Sequence, residues 1–202
     1  MGRERMAAAD VTRPAAPAPR VPAWDADGSL GAVRMTAVAF GGVLVLVTLA
    51  AIATRIGFAA GARRLLGFGF GGVSPTFGSA AEIFLNNAGL ALVAFVACVL
   101  AHAVGAAGAP RRRAGLAIDA LIAVAVLRSA LVVGAGIGAY GSRMVRSVLP
   151  DGPVELLGYA QALALYVLVR RGQPARATIV RLIGGALAAF AVAALLETYV
   201  QL

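Results

Sequence analysis

The sequence is poor in charged residues and in the side chains that usually bind metals. Only 13% of its 202 residues are charged, whereas about a quarter of positions are charged in a typical soluble domain. Cys98 is the single cysteine and His102 the single histidine, so the chain can form neither a disulfide framework nor a His- or Cys-based metal site. It also has no phosphate-binding loop and no serine-hydrolase motif, and we predict no metal and no cofactor.

Long apolar runs dominate the chain instead. Hydrophobic residues make up 60% of it, and its mean hydropathy is +0.87. A bilayer span needs roughly 20 apolar residues, so there is room for five or six spans and for no second folded domain. The apolar runs and their breakers predict five spans, at about 33–54, 80–105, 115–141, 152–170 and 177–201. Because lipid offers the backbone no hydrogen-bond partner and the alternation of a β-barrel is absent, we predict an all-α polytopic membrane helix bundle over residues 33–202.

Residues 1–32 form a polar segment rich in alanine, proline and arginine. Such a composition is typical of a disordered tail. A secretory signal would have its apolar core close to the start of the chain, whereas the first apolar run begins near residue 33. We therefore predict a disordered cytoplasmic tail followed by a first span that is retained.

All 18 basic residues are arginines, and they give the chain a net charge of +9. They stand in short clusters between apolar runs, without interleaved aromatic residues or a nucleic-acid-binding motif. The positive-inside rule explains this distribution better than nucleic-acid binding does. With the N-terminus in the cytoplasm, twelve arginines are cytoplasmic and five are outside. We predict a multi-pass cell-membrane protein with a cytoplasmic N-terminus and an extracytoplasmic C-terminus.

This topology places a set of polar residues in the outer leaflet or at its interface. They are Glu82, Asn86, Asn87, Arg143, Asp151, Glu155 and Glu197. One interpretation is structural: the acids lie near helix ends, Asp151 with Pro153 has the pattern of an N-cap and a first-turn proline, and the two amides would hold helices together. The other interpretation is functional, because ionisable groups in a membrane usually face the bundle interior and often mark a substrate-binding site.

Arg128 lies in mid-span, where a guanidinium cannot lose its proton and can hardly reach either face. It needs a partner. Asp119 is nine residues away on the same helix, so Glu82, Glu155 or Glu197 from another span is the better candidate. A buried ion pair and a clamp for a substrate carboxylate both fit this position.

Glycine-rich stretches predict two further features. The segment Gly67–Gly78 contains Phe68, Phe70 and Phe77 and is typical of a re-entrant or interfacial hairpin. Small-residue faces, which allow close helix packing within a bundle or a homo-oligomer, occur in the third and fifth spans. They contain Gly134, Gly136, Gly138, Gly141, Gly184 and Gly185.

Three segments resemble the stage II sporulation protein M family of integral membrane proteins. They are Ala81-Glu-Ile-Phe-Leu-Asn-Asn87, Val148-Leu-Pro-Asp-Gly-Pro-Val-Glu-Leu156 and Leu195-Leu-Glu-Thr-Tyr-Val200. The family has an F-x-x-N element, an L-P-H-G-x-x-E-L element and a late acidic residue in this order, and the resemblance covers residues 80–202. The family's histidine is replaced here by Asp151, which puts any role of an imidazole in doubt, whereas the family's acid is present as Glu155.

The resemblance implies one of two settings. One is a cell-envelope complex in which the protein holds extracytoplasmic hydrolases. The other is a system for ribosomally made peptides such as bacteriocins, in which the protein serves maturation, export or immunity. The partners expected are therefore the lipid bilayer, a hydrophobic peptide, and membrane or extracytoplasmic proteins.

A second hypothesis is a membrane-embedded peptide-modifying enzyme, for example an epimerase that removes and returns an α-proton without metal or cofactor. Its catalytic candidates are Glu155, Asp119 and His102, with Arg128 and Asn87 orienting the peptide. His102 is expected near the depth of Asp119, where it is either a packing residue or a proton-transfer partner. The inner and outer groups are expected to lie too far apart for one site, which weakens the hypothesis.

Overall fold

The structure, a computed structural model, describes residues 28–70, 72–104, 109–172 and 174–200. Every regular element in these ranges is helical. In chain order they are α1 (Gly28–Ala53), α2 (Ala59–Leu66), α3 (Phe77–Val104), α4 (Ala109–Tyr140), α5 (Ser142–Val148), α6 (Gly152–Arg171) and α7 (Arg176–Tyr199). A π-helical turn, Thr54–Phe58, joins α1 to α2. Residues 1–27 lie outside the described ranges, so the disorder predicted for the tail stays a prediction.

Within the described ranges, five helical segments are long and apolar enough to cross a membrane. They are Leu30–Leu66, Phe77–Ala97, Gly115–Tyr140, Gly152–Arg171 and Arg176–Tyr199. This confirms the predicted all-α polytopic bundle of five spans. The agreement has a simple cause: proline, glycine or clustered arginines stand at the start of each later span and separate it from the preceding one.

The helical path that contains the first span continues past the predicted end of that span at residue 54, through Arg55 to Leu66. Arginine is a good helix former, so its charge ends an apolar run without ending the helix. The helical path stops at Gly67, whose φ of +53° places it in the left-handed region. The path is not a straight helix, because Phe58 leaves the helical conformation between the π-helical turn and α2, and α2 then packs against α4.

The start of the first helix also differs from the predicted boundary of the tail. The first helix α1 begins at Gly28, so residues 28–32 belong to it and not to the tail. Ala32 is buried in a cluster with Leu165 and Leu182. The polar composition before residue 33 concealed this turn of helix, because its glycine and serine resemble a linker.

Helix α6 lies at the centre of the bundle, where it contacts α1, α3 and α7, and α4 packs mainly against α1. Small side chains line these contacts: Ala160, Ala162 and Ala164 of α6 and Ala186 of α7 are almost completely buried. Between helices in lipid there is little hydrophobic driving force, so close backbone approach and dispersion contacts stabilise the bundle.

Two glycines of α4 form the closest helix contact. A Cβ atom at Gly134 or Gly138 would stand less than 3.0 Å from the carbonyl oxygens of Val47 and Ala51 of α1, respectively. These positions have the spacing of a small-xxx-small face, as the sequence predicts for the third span.

The other glycines of the predicted faces differ in role. Gly136 faces Phe68 and Met144, and Gly185 faces the amide of Gln161. Gly141 follows α4 with a φ of +61°, where it turns the chain into α5. At Gly184 there is open space where a Cβ atom would stand.

Successive spans alternate in direction, so the bundle has two ends. The Asp151 end contains the starts of α3 and α6 and the ends of α2, α4 and α7. The Arg170 end contains the start of α1, the end of α3, the start of α4, the end of α6 and the start of α7. Contacts between Asn87 and Tyr159 at one depth and between Asp119 and Arg170 at another fix this arrangement.

The connection between α2 and α3 crosses the Asp151 end as irregular chain over residues 67–70 and 72–76. Phe68 and Phe70 contact the ring of Tyr140 at centroid distances of 5.9 and 5.2 Å. The Tyr140 hydroxyl accepts a hydrogen bond from the backbone N–H of Phe68 and donates one to the carbonyl oxygen of Arg63. The aromatic residues therefore anchor this segment to the end of α4, while Phe77 stands exposed at the start of α3.

Candidate binding site at the Asp151 end

Asp151 precedes the first turn of α6, as its pattern with Pro153 predicts. Its carbonyl oxygen accepts hydrogen bonds from the N–H groups of Val154 and Glu155. Its side chain, however, makes no capping bond, so the predicted side-chain N-cap is absent. The carboxylate is instead buried, with only 7% of the residue exposed, and Oδ1 has no hydrogen-bond partner in the described part of the chain.

Two further carboxylates surround Asp151. Glu155 is one turn later on α6, and Glu197 comes from the last turn of α7. Both interact electrostatically with Asp151. Burial and the charge of Glu197 raise the pKa of Asp151 from its ordinary value of 3.8 to about 6. The bundle thus gathers three acids from two helices.

Polar groups of α3 and α6 form the inner side of this site. The Tyr159 hydroxyl donates a hydrogen bond of 3.3 Å to Oδ1 of Asn87, which is buried. The ring of Tyr159 packs against Phe190 of α7 with a centroid distance of 4.9 Å. Asn87 therefore joins helices, as the structural interpretation predicts, and it does so beside the carboxylates.

Sequence reasoning missed Tyr159, which joins the site, and it also missed two other polar side chains inside the bundle, Gln161 and Thr198. Thr198 is completely buried, and both its Oγ1 and Oε1 of Gln161 lack hydrogen-bond partners in the described chain. The sequence does indicate Tyr159, because residues 151, 155 and 159 are spaced four apart and therefore lie on one helix face. Thr198 and Gln161 carry no such signal, since single polar residues in apolar runs do not reveal which neighbour they face.

The remaining outer residues do not join the site. Glu82 and Asn86 are exposed on α3, although Asn87 beside them is buried. Arg143 lies over the ring of Phe70, 4.5 Å from its centroid, so it contacts the α2–α3 connection. The structure thus brings together Asp151, Glu155, Glu197 and Asn87 out of the seven outer residues named from the sequence.

Asp119 lies at the other end, in an ion pair with Arg170. Arg170 Nη2 stands 2.7 Å from Asp119 Oδ2, and Tyr166 donates a hydrogen bond to Oδ1. Glu155 and Arg170 are fifteen residues apart on α6, about 22 Å at 1.5 Å per residue. Glu155 and Asp119 therefore do not share one site. His102 belongs to α3, but its side chain lies outside the described residues.

Arg128 is not paired with Glu82, Glu155 or Glu197, the partners predicted for it from the sequence. Its side chain is exposed on α4, and it makes no ion pair or hydrogen bond with any described residue. Glu155 and Glu197 interact with Asp151 at the Asp151 end, so they are not partners of Arg128. The orientation of α4 was not readable from its sequence, because the helix is apolar on nearly all sides.

The described residues contain no cluster of three or more His, Cys, Asp or Glu side chains with the geometry of a metal site. What Asp151, Glu155 and Glu197 offer is a partly buried acidic cluster with hydrogen-bonding groups beside it. A cationic group is the complement that such a cluster binds best.

No protein-family model, no curated protein and no solved structure matches this chain. The resemblance of residues 80–202 to the stage II sporulation protein M family therefore stays a prediction.

Proposed function

We propose that this multi-pass membrane protein binds the cationic group of a hydrophobic peptide or protein partner at its Asp151 end. The observation that carries the proposal is the buried Asp151 carboxylate, which lies beside Glu155 and Glu197 and whose Oδ1 has no hydrogen-bond partner among the residues that the structure describes. Buried charges in proteins are normally paired, so three neighbouring acids favour a cationic partner. A lysine, arginine or peptide amine would supply it.

The distribution of arginines supports an orientation with the N-terminus in the cytoplasm. In that orientation the Asp151 end faces outward and the C-terminus is extracytoplasmic. The binding site is then accessible to exported peptides and to extracytoplasmic proteins. Labelling single cysteines at Ser147 and at Arg176 with a membrane-impermeant maleimide in intact cells, in a Cys98→Ser background, tests this orientation. Only the cysteine at 147 should react.

The biological setting that we propose is a cell-envelope or bacteriocin-like peptide system in which the protein serves maturation, export or immunity. The resemblance to the stage II sporulation protein M family supports this setting, as do the three family-like segments that contain Asn87, Glu155 and Glu197. The segment 148–156 contains the start of α6, and the other two segments lie toward the same Asp151 end. A shared binding role would require this proximity. The genes that flank this reading frame distinguish the settings: a precursor-peptide gene favours a peptide system, and cell-wall hydrolase genes favour an envelope scaffold.

Binding of a defined peptide tests the site directly. The probe is a fluorescent Leu/Ala decapeptide with one lysine, compared with the same peptide carrying norleucine, and the protein is held in nanodiscs of phosphatidylcholine. The lysine peptide should bind about tenfold tighter, because a charge-assisted hydrogen bond in a partly buried site contributes about 1.5 kcal/mol or more.

Glu155→Gln should abolish the preference for lysine, whereas Glu82→Gln is the matched control because Glu82 is an exposed acid at the same end. Equal affinity of the two peptides for the parent protein would refute the proposal. Conversion of the peptide to a product of altered chirality would instead support the enzyme hypothesis, in which Glu155 is the catalytic candidate that lies at this end.

A further inference from the structure

The exposed face of α4 carries an arginine in the middle of an apolar surface. Leu121, Val124, Leu131 and Val132, which flank Arg128, are 39% to 62% exposed. Their spacing places them along one side of the helix with Arg128 at the centre. We call these five residues the Arg128 strip.

Arg128 lies at the midpoint of its span. Twelve residues separate it from Tyr140 and thirteen from Gly115, so each end of the span is about 18 to 20 Å away. Long basic side chains reach the membrane surface from positions near helix ends, which this position is not. A charge exposed at this depth requires an anion at the same depth.

The described acids of the chain do not supply that anion. Asp119 is paired with Arg170, and Asp151, Glu155 and Glu197 interact with one another at the Asp151 end. Glu82 is exposed, but it lies in the second turn of α3, about 10 Å nearer the Asp151 end than Arg128.

We propose that the Arg128 strip binds a transmembrane helix of a different protein that carries an aspartate or glutamate near its midpoint. The apolar residues of the strip would pack along that helix, and its carboxylate would accept hydrogen bonds from the guanidinium. A second copy of this chain is a poor occupant, because a two-fold contact through the strip would bring two Arg128 side chains together. A lipid phosphate is excluded by depth, because headgroups begin roughly 15 Å from the bilayer centre.

Model helices test the preference of the strip. The probes are three 21-residue Leu/Ala helices with glutamate, glutamine or leucine at position 11, mixed with the full-length protein in phosphatidylcholine vesicles. Energy transfer between labelled protein and labelled helix measures association. The glutamate helix should associate at least about fivefold more strongly than the leucine helix.

Arg128→Leu should remove this difference while Arg146→Leu, which changes an exposed arginine of α5, should leave it intact. Because Arg128 is exposed, both variants should keep the thermal stability of the parent. Equal association of the three helices would overturn the proposal, as would an unchanged difference in Arg128→Leu.

A photo-cross-link in the native membrane tests the occupant itself. A benzoylphenylalanine at Val124 should cross-link to a membrane protein with an acid near the middle of a span, and the same residue at Leu92 on the exposed side of α3 should not. Arg128→Glu should abolish the cross-link, and exchange of the partner's acid for arginine should restore it. A cross-linked dimer of this chain, or a cross-link to lipid alone, would overturn the proposal. A cross-linked dimer or a cross-link to lipid would leave the proposal of cation binding at the Asp151 end unaffected, because the Arg128 strip and that end are separate surfaces.

Discussion

Arg170 forms a two-pronged ion pair with Asp119, in which Nε stands 2.9 Å from Oδ1 and Nη2 stands 2.7 Å from Oδ2. The pair joins the end of α6 to the first half of α4, beside a cluster in which Ile122 of α4 packs with Leu165 of α6. Tyr166, which is buried on α6, donates to the same carboxylate. Asp119 therefore acts as a helix-joining acceptor in this fold.

Breaking this pair should weaken the bundle modestly. The two side chains are 33% and 38% exposed, so solvent screens the pair and we expect a coupling energy of about 0.5 to 1 kcal/mol. A double-mutant cycle of Asp119→Asn and Arg170→Gln, followed by thermal unfolding in detergent, measures it. Arg171→Gln is the control, because this neighbouring arginine is exposed and forms no ion pair among the described residues. A coupling energy of zero would contradict the prediction.

Replacement of Gly138 by alanine should separate α1 from α4. The new Cβ atom would meet the carbonyl oxygen of Ala51, and backbone atoms cannot move aside as a flexible side chain can. We expect a loss of about 1 to 3 kcal/mol in unfolding free energy, measured by titration with SDS from mixed micelles.

Gly42→Ala in α1 is the matched control for Gly138→Ala. Nothing lies within 4 Å of a Cβ atom at Gly42, and alanine has the higher helix propensity, so this variant should be neutral or slightly more stable. If both variants behaved alike, the close contact between α1 and α4 would be ruled out.

Phe190→Ala should be the most damaging truncation in α7. Phe190 is completely buried against Tyr159 and against Gly158, where there is no side chain to fill the vacated space. Because lipid is as apolar as the bundle interior, the loss comes from cavity formation and contacts, and we expect about 2 kcal/mol. Leu195→Ala on the same helix is the control, since Leu195 is 47% exposed. The same SDS titration compares them, and a larger effect at Leu195 would be incompatible with this packing.

The five-span fold was predictable because hydropathy reports burial in lipid directly. The predicted helix ends differ from the structure where one residue type is compatible with two structures. Arg55 interrupts the apolar run but not the helix, and Gly28 begins a helix although its surroundings resemble a linker. Helix termination depends on backbone conformation, as at Gly67, which a hydropathy profile does not contain.

The candidate site was predictable only in part. Asp151 and Glu155 share a helix face by their spacing, and Glu197 follows from the antiparallel course of the last span. The rotation of each helix was not predictable, because helices that are apolar on every side have no amphipathic face to orient them. That is why Asn87 is buried while its neighbour Asn86 is exposed, and why Arg128 was expected inside the bundle but lies on its surface.

Asp151 should make the protein less stable as the pH rises from about 4 to about 6. Burial and Glu197 raise the pKa of this carboxyl to about 6 in the folded protein, whereas the unfolded chain has the ordinary value of 3.8. The folded state thus holds its proton more tightly, so the stabilisation is complete below pH 4 and is lost as the pH rises through 6. Over that window we expect a loss of about 2 kcal/mol.

Asp151→Asn should remove this pH dependence, since an amide stays neutral, and should be more stable than the parent at pH 8. Thermal unfolding of both proteins in detergent from pH 3.5 to 8 gives the difference curve. Glu155 and Glu197 titrate in both proteins, so the difference between the curves isolates the contribution of Asp151, including its coupling to them. Glu82→Gln should follow the parent throughout, because Glu82 is exposed. If the parent instead gained stability relative to Asp151→Asn between pH 4 and 6, Asp151 would have to be paired with a cation in the isolated protein, and the acidic site would already be occupied.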